Sequence, residues 1–302
     1  MQPDKCYQMK IMQGEFKMSC YYVLFNPKAC NGHGEESAHR LDQMNLEREL
    51  KYRDVTFIED FDAFLNSMGC DDAAILCGGD GTLNYFINHT SEDNYNNDIY
   101  YFPCGTGNDF YKDINTEPAE NIVKINKYLT NLPVATVKGR TYRFLNNVGF
   151  GIDGYCCEVG DEMRAQGKEN INYAGIAIRG LLGAFKPVVA TVTVDGKTEK
   201  FKKAWLAPTM KGRYYGGGMM ATPAQDRLDP AGKVSVMLFY GHGKLKTLAA
   251  FPSIFQGEHV KHTNMVKIIN GSEVSVSFSR PCAVQIDGET ILNVTEYTVR
   301  TK

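Results

Sequence analysis

The chain has 302 residues, 33 basic and 35 acidic side chains and a formal net charge of -2. At roughly 150 residues per domain that is about two domains, with ample chain to bury a core. A hydrophobic content of 43% and a charged content of 23% describe a folded globular protein, not a disordered chain. The balanced charge lacks the basic excess of a dedicated nucleic-acid binder, and no apolar run approaches the roughly 18 residues of a membrane-spanning helix.

Residues 1–18 mix charged and polar side chains, lack the apolar core of a secretory signal, and are expected to be an extra N-terminal segment. Cys20–Phe25 (CYYVLF) predicts a buried strand stopped by Asn26-Pro27. From Glu35 to Lys51 the spacing of Ala38, Leu41, Met44, Leu46 and Leu50 predicts a helix. Val55–Ile58 predicts a second strand, Phe61–Met68 a short helix, and Ala73–Leu76 a third strand running into Gly78-Gly79. A helix is expected from near Thr82, a fourth strand at Ile99–Phe102, and helical spacing again at Ile122, Ile125 and Leu129. This alternation argues for a parallel sheet with helices on its faces.

Past Asn131 the pattern changes. Strand-like runs follow at Val134–Lys138, Tyr142–Val148, Val188–Val194, Phe201–Pro208, Val234–Tyr240, Val266–Ile269, Val274–Phe278, Ala283–Ile286 and Tyr297–Arg300. Asp195-Gly196 and Asn270-Gly271 are expected hairpin turns. Helical stretches interrupt at Asp153–Arg164 and Tyr173–Phe185. The expected fold is an α/β N-terminal domain over 19–131 and a β-rich domain over 132–302, and the last strand could return to either domain.

The nine cysteines form no Cys-x-x-Cys pair and have no histidine at zinc-ligand spacing, so they are expected to be free, buried thiols in a reducing cytoplasm. Glycine placement carries more chemistry. Three loops follow predicted strands: Asn26–Gly34, Gly78–Asn84 (GGDGTLN) and Pro103–Phe110 (PCGTGNDF). In an open parallel sheet the ligand site lies outside the carboxyl ends of the strands, where such loops converge. Glycines let backbone N–H groups approach phosphate oxygens, a helix N-terminus adds its dipole, and Thr82 and Thr106 add hydroxyl donors. Neither common nucleotide fingerprint is present, so this reasoning reaches a phosphate or nucleotide site and no further.

GGDGTLN followed by GTGNDF resembles the diacylglycerol kinase catalytic-domain family, in particular the bacterial soluble lipid kinases, with sphingosine and ceramide kinases more distant. Asn26-Pro27, Asn147–Asp153, Gly216-Gly217-Gly218 with Pro223-Ala224, and Asp287-Gly288-Glu289 extend the resemblance from about Tyr21 to Val299. It implies an ATP- and magnesium-dependent lipid kinase with an α/β nucleotide-binding domain, a β-rich, sandwich-like second domain and the active site in the cleft between them. The implied nucleotide contacts are Asn26, Gly78, Gly79, Asp80, Gly81, Thr82, Leu83, Asn84, Gly105, Thr106 and Asn108. Glu289 inherits the role of proton acceptor, and Asp287 is near enough to share it or to hold metal. Asp80 is expected either to orient magnesium through water or to cap the loop or the following helix. From the residues alone, Asp287-Gly288 is a hairpin tip.

Relatives carry a metal-binding Asp followed directly by Gly where this chain has Asp226-Arg227-Leu228-Asp229. Here Pro230-Ala231 intervene before Gly232, so a metal role for Asp229 or Asp226 is in doubt. Ala29-Cys30 stands where relatives usually have Ser-Gly. The resemblance further implies a cytoplasmic protein visiting the inner face of a membrane for its lipid substrate, and it leaves room for a homodimer. Phosphatidylglycerol, a sphingoid base or NAD are alternative acceptors, and a non-catalytic nucleotide- or lipid-binding protein is the rival of another class. Leu181, Leu182 and Phe185 form either a core helix or a lipid-entry lip.

Overall fold

A computed structural model describes residues 19–92, 94–105, 107–114, 122–168 and 171–302. Its N-terminal sheet begins with β1, Cys20–Phe25, buried at every residue but Tyr22. Short helices α1 (Ala29–Gly32) and α2 (Gly34–Ala38) and a 3₁₀ turn (His39–Gln43) lead to β2, Glu49–Asp54. The helix expected over 35–51 and the strand expected at Val55–Ile58 are therefore corrected. The strand is the charged segment ELKYRD, in register from Cys20↔Glu49 to Phe25↔Asp54. It lies at the sheet edge, where alternate residues face water and no apolar run is needed. Leu41, Met44, Leu46 and Leu50 still join one core cluster, so their burial is met without a continuous helix. Val55–Phe57 is a 3₁₀ turn whose Thr56 N–H is capped by Asp54 at 2.8 Å.

Helix α3 (Phe61–Ser67) is capped by Asp60. Strand β3 (Ala73–Gly78) is fully buried at the sheet centre and feeds α4 (Asp80–His89). Strand β4 (Asp98–Pro103) feeds α5 (Asp109–Ile114). Strands β1 to β4 are parallel; β5 (Val123–Lys124) pairs antiparallel with β4. A 3₁₀ turn follows β5 where helical spacing was expected, and it buries Ile125 and Leu129 all the same.

The remaining chain builds a ten-stranded antiparallel sheet. It contains β6 (Val134–Val137), β7 (Arg140–Arg143), β8 (Asn147–Gly151), β9 (Val188–Val194), β10 (Lys197–Ala204) and β11 (Leu206–Met210). A small ribbon of β12 (Tyr214–Tyr215) and β13 (Met219–Met220) precedes β14 (Val234–Phe239). Then come β15 (Val266–Gly271), β16 (Glu273–Ile286) and β17 (Glu289–Arg300). Strand β17 pairs with β16 and β6 inside this sheet. Helices α6 (Ile152–Ala165) and α7 (Tyr173–Arg179) and, later, α8 (Lys244–Ala250) pack against it.

The two runs expected at Val274–Phe278 and Ala283–Ile286 are one strand. Its register slips between Ser277 and Cys282, so its first half pairs with β9 and its second with β8. Asp195-Gly196 is the expected hairpin, with φ of 46° and 79°. Asn270-Gly271 is not a hairpin: β15 pairs with β14. Gly271 is needed there for packing, since a Cβ would lie 2.2 Å from Val194 Cγ1. Cys20, Cys30, Cys77, Cys104, Cys156, Cys157 and Cys282 are free thiols as expected, but exposed Cys70 is disulfide-bonded. Among the described residues no helix is long and apolar enough to cross a membrane.

Candidate functional site

The loops after β3 and β4 are built against each other. Gly78 O accepts from Cys104 N at 2.9 Å and from the Tyr101 hydroxyl at 3.1 Å. A Cβ on Gly105 would sit 2.6 Å from Gly79 Cα, and one on Gly78 would sit 2.0 Å from Thr82 Oγ1. Gly78 and Gly105 are thus demanded by packing, and a Cβ on Gly79 would crowd Gly105 Cα at 3.2 Å. Gly81 is different: a Cβ there meets nothing within 4 Å. It lies in the first turn of α4, whose N-terminus no side chain caps. Asn108 holds its own loop, donating to Gly105 O at 2.7 Å and accepting from Tyr101 at 3.3 Å. Thr106 lies outside the described residues.

Asp80 does not cap the helix it begins. Its carboxylate accepts from the N–H groups of Asp109 and Phe110, both at 2.9 Å, and so caps α5 at the end of the next strand. It also accepts from Asn146 Nδ2 at 3.0 Å, across to the second sheet. Asp109, to which the sequence reading attached no role, sits beside it. Its Oδ2 accepts from Gly217 N at 2.7 Å, while its buried Oδ1 has no partner among the described residues. Burial, reinforced by the Asp80 charge, raises the Asp109 pKa to about 6. An acid at a helix start beside a glycine loop was the available signal.

Asp287 and Asn84 close the other side. Asp287 is the first residue of the two-residue turn joining β16 to β17, at φ 46°, yet its carboxylate points inward. It accepts from Leu145 N at 2.6 Å, Asn146 N at 2.8 Å, Asn147 N at 2.9 Å and Asn84 Nδ2 at 3.1 Å. Burial pushes its pKa up, and those donors oppose the shift. With four donors on two oxygens it is a structural acceptor. Glu289, opposite Ile286 in the hairpin, is exposed, and its carboxylate forms no hydrogen bond or ion pair among the described residues.

Asn146 therefore touches both acids, and a buried guanidinium supports it. Arg227 donates to Asn146 Oδ1 at 2.9 Å, to Leu145 O, and to Asp113 at 2.8 Å; Arg213 also pairs with Asp113, at 2.6 Å. Asn146, Arg227 and Asp113 were not foreseen, because nothing in the sequence brings them together.

The remaining expected residues serve their own loops. Asn26 Oδ1 accepts from Lys28 N at 2.9 Å, shaping the turn after β1. Asp226 accepts from Leu228 N at 2.8 Å; Asp229 accepts from Ala231 N at 3.1 Å and Lys233 N at 3.2 Å. No cluster of three or more acidic, histidine or cysteine side chains able to hold a metal occurs among the described residues. The ammonium of Lys211 feels both carboxylates, while burial and then Arg227 lower its pKa.

Residues 20–137 match the family described as "Diacylglycerol kinase catalytic domain". Residues 146–299 match the one described as "YegS C-terminal NAD kinase beta sandwich-like domain". A protein of Staphylococcus haemolyticus named as a candidate lipid kinase is 28% identical over 223 residues, covering 72% of this chain and 70% of that one. A diacylglycerol kinase of Mycobacterium tuberculosis is 26% identical over 198 residues, covering 63% and 62%. The crystal structure of a candidate diacylglycerol kinase from Bacillus anthracis superposes with a TM-score of 0.64 at 18% identity, covering 96% of this chain and 94% of that one.

Proposed function

The chain belongs to the diacylglycerol kinase catalytic-domain family, with a YegS-type C-terminal domain, and from that premise we propose that it transfers the γ-phosphate of ATP to the hydroxyl of a diacylglycerol-like lipid. One observation carries this reading. The hydrogen bond from Asn84 to Asp287 draws the Glu289 hairpin onto the helix that opens with the glycine loop.

In this reading the phosphates rest on the backbone of Gly79, Gly81 and Gly105 and on the uncapped N-terminus of α4, where N–H groups and helix dipole favour an anion. Phosphoryl transfer asks mainly for in-line positioning and charge stabilisation. Magnesium bound to the nucleotide would supply neutralising charge, and the oxygen that fits it here is Asp109 Oδ1, which is buried beside Asp80 and without a partner among the described residues. Glu289 takes the proton of the lipid hydroxyl as that oxygen attacks the γ-phosphorus and ADP leaves. Asp287 is a positioning residue, since its oxygens are already committed. The lipid is met at the face of a cytoplasmic membrane.

The test is transfer of labelled γ-phosphate to diacylglycerol in mixed micelles. Glu289→Gln should lower kcat about a hundredfold or more with an unchanged unfolding temperature, because the side chain is exposed. Near-full activity in that variant removes the base assignment. Offering diacylglycerol, phosphatidylglycerol, a sphingoid base and NAD in parallel, scored by the mass of an added phosphate, identifies the acceptor.

A further inference from the structure

The second sheet carries an exposed apolar tip ringed by lysines. After α7 the chain makes one wide helical turn, Gly180–Ala184, which separates neighbours that look alike in sequence. Leu181 and Phe185 turn into the core, the latter packing 6.3 Å from the buried Trp205. Leu182 turns out and is 53% exposed. Of the residues expected to form either core or lip, Leu181 and Phe185 are core and Leu182 lies at the surface.

A second exposed leucine stands beside it. Lys244 Nζ donates to Leu182 O at 3.1 Å, fixing the start of α8 against this turn, and the next residue, Leu245, is 79% exposed. Ile178, one helical turn before Leu182, is also exposed. Single exposed leucines are ordinary; an adjoining pair on the leading edges of two elements is not explained by packing.

The surroundings supply the charge. Gly241 N donates to the carbonyls of Lys202 and Lys203 at 3.0 and 3.2 Å, which staples the loop before α8 to strand β10. That strand slips register between Phe201 and Ala204. The bulge breaks the in–out alternation, so Lys202 and Lys203 both face solvent. With Lys244 and Lys246 they make four exposed cations, none in an ion pair among the described residues. Residues 171–194 and 241–257 contain no Asp or Glu.

We propose that Leu182 and Leu245, framed by Lys202, Lys203, Lys244 and Lys246, are the surface by which this protein docks on an anionic lipid bilayer. The leucines enter the headgroup boundary while the lysines stay with the lipid phosphates. This rests on the lipid-kinase reading and deepens it, since a kinase whose acceptor stays in the bilayer must be held at that surface while ATP and lipid are bound. The tip is joined to the catalytic hairpin through α6: Gly180 packs on Ile152 and Tyr155, and Asp153 meets Gln285, whose side chain accepts from Gly288 N.

The full chain is sedimented with vesicles of phosphatidylcholine containing about one third phosphatidylglycerol, and with phosphatidylcholine alone. The wild type should bind the anionic vesicles preferentially, each lysine contributing roughly fivefold. The double variant Leu182→Ser, Leu245→Ser should lose about tenfold or more in binding, with wild-type thermal unfolding and unchanged transfer to a short-chain, monomeric diacylglycerol. Lys202→Glu with Lys246→Glu should abolish the preference for anionic lipid. Vesicle binding within about twofold of wild type in both variants overturns the proposal, as does a change in oligomeric state with vesicle binding intact, which would make the face a subunit interface. If the wild type phosphorylates no lipid, even monomeric, while the leucine variant still loses vesicle binding, the kinase reading fails and the docking surface stands.

Discussion

Asn84 donates to Asp287 at 3.1 Å, linking residues 203 positions apart: one on the helix of the glycine loop, the other at a hairpin of the second sheet. Asp287→Ala would strand the N–H groups of Leu145, Asn146 and Asn147 and place a Cβ residue without Asp's tolerance at φ 46°. A loss of about 3 kcal/mol or more in unfolding free energy is expected. Asn84→Ala removes one donor and should cost about 1 kcal/mol in denaturant unfolding, with a larger fall in kcat than in stability. Equal, small effects of both substitutions would mean that Asp287 does not anchor the hairpin.

Two glycines of the phosphate loops should answer alanine in opposite ways. Gly105→Ala forces a Cβ to 2.6 Å from the Gly79 backbone, so the two loops must part, costing about 1–3 kcal/mol of stability. Gly81→Ala meets open space in a helical turn and should raise stability by about 0.5–1 kcal/mol. If ATP phosphates approach this turn, the same methyl weakens ATP binding. Titration calorimetry showing unchanged ATP affinity in Gly81→Ala would remove α4's N-terminus from the phosphate site.

Asp153 gives a pH dependence. It is buried at the start of α6, and burial raises its pKa from 3.8 to about 6, against hydrogen bonds from Gly154 N and Gln285. The folded state then holds a proton that the unfolded state has lost between about pH 4 and 6. By linkage, its contribution is full below the unfolded pKa and is lost as pH rises through the folded one, a swing of about 3 kcal/mol. Asp153→Asn should flatten that part of the stability profile, measured by denaturant midpoints from acid to neutral pH. An unchanged slope would assign it to other groups.

Cys30 and Cys104 face each other from the loops after β1 and β4. Interaction with the Cys104 thiol lowers the Cys30 pKa to about 7 against burial, with Ser37, Arg40 and His33 adding to the shift; Cys104 is driven the other way. Cys30 should therefore be alkylated by iodoacetamide near neutral pH, well before Cys156 or Cys157, whose thiols burial pushes up. Cys104→Ala should move the pH midpoint of Cys30 alkylation up by about one unit or more. An identical midpoint would exclude the thiol pair as the cause.

The apolar central strands and the glycine loops were legible from the residues alone. Cys20–Phe25 and Ala73–Gly78 sit inside the parallel sheet, buried on both faces, so their composition announces them. GGDGTLN and PCGTGNDF were legible because backbones that touch, as at Gly79 and Gly105, tolerate no side chain. Edge strand β2 was not legible, because one solvated face lets charged residues form a strand. Nor were the functions of the acids. Asp80 lies in a phosphate-loop motif and caps a helix 29 residues later, while Asp287 lies in a turn motif and anchors that turn to three amides and Asn84. A carboxylate's role depends on which donors reach it and how much water remains, and both are settled only when distant segments pack. The same holds for Leu181 and Leu182, adjacent and identical in the chain, which one turn of backbone sends to the core and to the surface.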